Sequence, residues 1–79
     1  MIEWLLHNWE GYVRLRLHGY SPERFLNLCN ARGLEVWGLI CNRDGDYEFF
    51  MTVPGYRKVK PLVRKSRVRL RILERYGLP

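Results

Sequence analysis

A chain of 79 residues, 47 % apolar and 14 % aromatic, suits one small packed domain and is too apolar to stay unfolded. No apolar run reaches the ~18 residues that cross a bilayer, and the opening MIEWLLHNW lacks the basic leader and cleavage site of a signal peptide. The net charge of +6 is concentrated in residues 57 to 79, where nine Lys or Arg face Glu74 alone, and this predicts a basic patch with an anionic partner.

Residues 1 to 10 form an N-terminal lead, in which Ile2, Leu5 and Trp9 have helical spacing and which Gly11 ends. Residues 12 to 18 alternate strictly. Val13, Leu15 and Leu17 share one face, and Tyr12, Arg14, Arg16 and His18 share the other, which predicts a half-buried strand. A helix follows, with Ser21 as N-cap, its hydroxyl accepting from a first-turn amide, and Pro22 at the first helical position. Its buried face carries Phe25, Leu28 and Cys29, with Leu26 beside them, and Gly33 ends it.

Residues 34 to 53 read as a hairpin about a two-residue Asp44-Gly45 turn. Counting back from that turn pairs Ile40 with Phe49, Gly38 with Met51 and Val36 with Val53, all core-facing. Trp37, Leu39, Cys41, Glu48, Phe50 and Thr52 fall on the other face, which avoids burying Glu48 without a partner. Pro54-Gly55 breaks the strand. Tyr56, Val59, Leu62 and Val63 then place a second helix within 56 to 65, either kinked at Pro61 or starting near Lys60 after a turn. Arg67 to Leu73 is the last strand, with Val68, Leu70 and Ile72 inward.

The order β-α-β-β-α-β with right-handed crossovers predicts an α+β ferredoxin-like sandwich: a four-stranded antiparallel sheet, order 4-1-3-2, with two helices on one face. Residues 12 to 73 form its core, and 74 to 79 lead out of it. First and last strands are then neighbours. Arg14, Arg16, Arg67, Arg69 and Arg71 are expected as one cluster on the open face, beside the apolar contacts Trp37 and Phe50.

A basic, aromatic open sheet is also how RNA-recognition modules bind single strands, so RNA is the alternative partner of this face. The fit is poor: Tyr47 and Phe49 have the spacing of stacking aromatics, but the register buries them, and Glu48 beside Phe50 repels phosphate. Neither His7 nor His18 lies at metal-ligand spacing, and no phosphate loop, paired carboxylates or activated nucleophile is evident, so no enzyme, metal or cofactor is expected. Cys29 and Cys41 read as two buried free thiols of a reducing compartment. The lead, with Trp4 and Trp9, is either an interfacial anchor or a cover over the open sheet face.

The series WLL…EGYVRLRLHGYSPERFLN, RGLEVWGL and KVKPLVRKSRVRLRILERYGLP resembles the N-terminal region of the YqfD family, named for stage IV of sporulation in endospore-forming bacteria. Its most telling pieces are Glu23-Arg24-Phe25-Leu26-Asn27, the Trp37 strand, Pro61-Leu62 with Arg64-Lys65, and Gly77-Leu78-Pro79. The resemblance implies that a membrane-spanning segment and a larger domain follow, and it brings no catalytic residues. A cationic flank before such a segment obeys the positive-inside rule, which implies the cytoplasmic side of the membrane. The expected role is a docking or assembly head, its basic face toward anionic membrane or an acidic protein partner in sporulation. Open sheet edges leave a homo-oligomer possible.

Overall fold

The computed structural model describes residues 11 to 77, so the lead of residues 1 to 10, including its expected helix and sheet-covering role, lies outside the described residues, with Leu78 and Pro79. Seven elements follow in order: β1 (Tyr12–Gly19), α1 (Pro22–Ala31), β2 (Trp37–Cys41), β3 (Tyr47–Thr52), α2 (Val53–Lys58), α3 (Lys60–Ser66) and β4 (Val68–Tyr76). The sheet runs β2-β3-β1-β4 with every pair antiparallel. Read from the β4 edge, this is the expected 4-1-3-2. The fold is α+β and compatible with a ferredoxin-like sandwich.

Alternation builds the core as expected. Leu15 and Leu17 of β1, Phe49 and Met51 of β3, and Phe25 and Cys29 of α1 are fully buried, joined by Val59, Leu62 and Val68. Burial pushes the Cys29 thiol up to about 11, as expected of an inert core cysteine. Cys41, in contrast, is exposed, so only one of the two expected buried thiols is buried. Ser21 stands at the N-cap of α1, but its hydroxyl makes no capping bond.

Three helices cover the sheet where two were expected. Thr52 caps α2, its hydroxyl accepting from the Gly55 amide at 3.1 Å, and Pro54 sits in the first turn, where its missing N–H costs nothing. The Pro-Gly pair therefore ends the strand and opens a helix at once. Pro61 sits in the first turn of α3, which starts at Lys60. Of the two readings of Pro61, the structure adopts the short helix from Lys60, preceded by α2 rather than by a turn.

The hairpin departs from expectation by one residue. Asn42 donates to the Asp46 carbonyl and Gly45 to the Asn42 carbonyl, so the loop holds three residues, Arg43 to Gly45, with Gly45 at φ 89. That is the hairpin class in which a left-handed glycine closes a type I turn. Ile40 consequently faces Glu48 and Cys41 faces Tyr47, and a bulge at Gly38 and Leu39 puts Trp37 opposite Phe50, keeping it on the open face. Ile40, expected in the core, is 55 % exposed on the open face. Leu39, expected on the open face, lines a groove with Leu26, Leu34 and Val36 on the helix side.

The last strand is longer and starts later than expected. Arg67 lies outside it, at φ 52 as the C-cap of α3, while Glu74, Arg75 and Tyr76 extend it. A second bulge, at Leu73, shifts the register between Leu15↔Ile72 and Arg14↔Glu74. This bulge turns Glu74 and Tyr76 onto the open face.

Candidate functional site

The open face is built in rows set by strand register. Phe50, Arg14 and Glu74 align across β3, β1 and β4, the next row is Glu48, Arg16 and Arg71, and His18 faces Arg69 beyond it. Period-two alternation puts these side chains on the face opposite the core.

Arginines of β1 are consumed by acids of the neighbouring strands. Arg14 bonds Glu48 and, at 2.7 Å, Glu74. Glu48 also accepts from the Asn42 amide at 3.0 Å, so its half-hidden carboxylate is well partnered. Arg16 bonds Asp44 and, through Nε at 2.8 Å, Asp46. The other oxygen of Asp46 meets His18 Nδ1 at 2.6 Å. The five-arginine cluster is thus divided: Arg14 and Arg16 are ion-paired, Arg67 stands off the sheet, and Arg69 and Arg71 remain exposed on β4.

At the other end, four rings meet. Tyr12 lies 5.8 Å from Trp37, 5.9 Å from Phe50 and 5.0 Å from Tyr76, and Trp37 stacks on Phe50 at 6.0 Å. Trp37 and Phe50 are therefore half-buried members of an aromatic floor rather than isolated contacts. The sequence reading missed Tyr76, because the Leu73 bulge that turns it outward leaves no mark on the residue pattern. The Tyr47 and Phe49 pair is turned to the helix side, Phe49 fully buried and the Tyr47 hydroxyl donating to Glu23 at 3.2 Å.

Residues 7–79 match the family model described as "Putative stage IV sporulation protein YqfD". The chain belongs to the YqfD family. Among curated proteins and solved structures, nothing matches it. YqfD proteins are tied by that description to sporulation, and the family is named for a developmental stage rather than for a reaction. Among the described residues, no group of three or more His, Cys, Asp or Glu is placed to hold a metal ion. No helix among them is long and apolar enough to cross a membrane.

The ion pairs of this YqfD domain carry a pH signature. Bonds from His18 and then Arg16 hold the Asp46 carboxyl below its usual range, and Tyr76 and then Arg14 do the same for Glu74. Carboxyls with folded values below their unfolded values bind protons more readily in the unfolded chain. Their stabilisation is whole above the ordinary value of about 4 and is lost as pH falls through the depressed folded values. Urea unfolding midpoints should therefore fall as pH drops below about 4, and Asp46→Asn should remove part of that fall. Midpoints that rise on acidification would contradict the network.

Proposed function

We propose that this YqfD domain is a non-enzymatic docking module on the cytoplasmic side of a membrane in the sporulating cell, laying a cationic flank on anionic lipid. One observation carries this reading: all nine Lys and Arg of residues 57 to 77 are exposed, and Glu74, the one acid among them, is taken by Arg14. They stand on α2, α3, the α3–β4 junction and β4, so the flank runs from the helix side around the β4 edge. The open face as a whole no longer serves, because acids match its inner arginines. Each Lys or Arg near an anionic leaflet contributes about 1 kcal/mol, within a Debye length of about 10 Å at 0.1 M salt.

Co-sedimentation with phosphatidylglycerol–cardiolipin vesicles tests the reading. Binding should exceed that to phosphatidylcholine vesicles, weaken steeply with salt, and drop about tenfold or more when Lys60, Arg64 and Lys65 are changed to Glu. Equal pelleting with neutral vesicles would refute it. Retention on single-stranded RNA in place of vesicles would support the rival nucleic-acid reading, in which Tyr76 and Phe50 supply stacking surfaces.

A further inference from the structure

The hollow between β1 and β4 on the open face contains an arrangement that ion pairing leaves unfinished. Arg16 stands directly opposite Arg71, and His18 directly opposite Arg69. Such partners have Cβ atoms about 5 Å apart, and the like charges of Arg16 and Arg71 placed so are destabilising. The acids of this face are Glu48 and Glu74 on the strands and Asp44 and Asp46 at the hairpin tip.

Those acids are already committed. Asp46 is 8 % exposed, with one oxygen on Arg16 and the other on His18, and Asp44 is on Arg16. Neither Arg69 nor Arg71 has an ion-pair partner among the described residues. A carboxylate has only acceptors, so His18 Nδ1 donates to Asp46, which fixes the ring and leaves Nε2 on the outer side of a side chain that is 69 % exposed. Arg16, His18, Arg69 and Arg71 line one hollow of about 630 Å³, with Leu70 and Asp46 completing it.

We infer that this hollow binds a single phosphate group, held by Arg69 and Arg71 and, when its ring is protonated, by the outer nitrogen of His18, with Asp46 and Arg16 as positioning residues. Two guanidinium forks and an imidazolium would line it from two strands. That set suits a tetrahedral group with several acceptor oxygens better than a planar carboxylate with two. An anion seated there also relieves the Arg16–Arg71 repulsion, so binding and folding are coupled. The source of the phosphate is the headgroup of an anionic phospholipid, a step that rests on the docking reading above.

Thermal unfolding of the 79-residue chain in phosphate and in chloride, at matched pH and ionic strength, tests the site. Phosphate should raise the melting temperature saturably, by the linkage of a ligand that binds only the folded state. Arg71→Gln should melt no lower than wild type in chloride and should lose the phosphate effect, and His18→Gln should lose most of it. In ¹H–¹⁵N spectra, phosphate should shift the His18 ring and the Arg69 and Arg71 Nε signals ahead of those of Arg64 and Lys65. Arg71→Gln should also weaken vesicle binding several-fold. Equal stabilisation of wild type and both variants, while vesicles still bind, would overturn the site and leave the docking reading standing. Phosphate stabilisation lost in Arg71→Gln without any change in vesicle binding would keep the site and overturn its assignment to a lipid headgroup.

Discussion

Replacing Phe49 with alanine should remove a large part of the domain's stability. Phe49 is fully buried, its ring 6.3 Å from that of Phe25, at the centre of the layer between sheet and helices. Truncating a core phenylalanine removes about 3–5 kcal/mol through lost transfer energy and the cavity left behind. A chain of this length has roughly 4–12 kcal/mol in total, at about 0.05–0.15 kcal/mol per residue. Urea unfolding should show a midpoint lowered by a third or more with the slope preserved. The neighbouring change, Phe50→Ala, gives the control. Phe50 belongs to the half-buried aromatic floor, and its loss should cost about 1–2 kcal/mol, most of it through ring contacts with Tyr12, Trp37 and Tyr76. The two adjacent residues thus test which face of β3 is the core. Equal costs would mean that the strand does not sit in the described register.

The core side of this fold was legible because burial imposes alternation on β1 and β3 and helical spacing on α1. Val13, Leu15, Leu17, Phe49 and Met51 are inward as the pattern requires, and the strand order follows from crossover handedness. What escaped is whatever adds one residue without changing composition. Asp44-Gly45 suits a two-residue turn, but Gly45 closes a three-residue loop, and that single step moved Ile40 to the open face. The bulges at Gly38 and Leu73 are of the same kind: each leaves flanking residues in unremarkable strand sequence and reverses which of them face out.

The site depended on those reversals more than the core did. Arg14 reads as a free cation until the Leu73 bulge brings Glu74 to it from 60 residues away. Arg16 reads likewise until the hairpin tip delivers Asp44 and Asp46. An alternation of arginines along one strand shows that they share a face, but their net charge depends on neighbouring strands. Two cations of the open face, Arg69 and Arg71, keep their exposure because β4 is an edge strand with only β1 beside it. The same edge continues into the cations of α3, which is why the basic flank of this domain lies around β4 and the helices rather than across the sheet.

Gly11→Ala should be nearly as damaging as loss of a core side chain, although it adds only one methyl group. Gly11 is buried at φ 92, where its carbonyl accepts from the Val53 amide at 3.1 Å. A Cβ built there would lie 2.3 Å from the Tyr76 carbonyl oxygen and 3.1 Å from the Gly77 Cα. Both obstacles are backbone, so no rotamer change can relieve them. Backbone strain of this kind costs about 1–3 kcal/mol for a non-glycine residue, and the clash adds the cost of moving the end of β4. That movement should pull Tyr76 from its stack on Tyr12 and Glu74 from Arg14, so one substitution loosens the aromatic floor and the ion-pair network together. The expected result is a melting temperature lower by about 10 °C or more, at 4–8 °C per kcal/mol for a domain of this size, with hydrogen exchange accelerated first at Glu74 to Tyr76. Gly33→Ala provides the contrast. Gly33 also has positive φ, at 70, but nothing lies within 4 Å of its added Cβ. It should therefore cost only the conformational strain, about 1 kcal/mol. If the two substitutions prove equal, close approach of the β1 and β4 backbones is not what Gly11 provides.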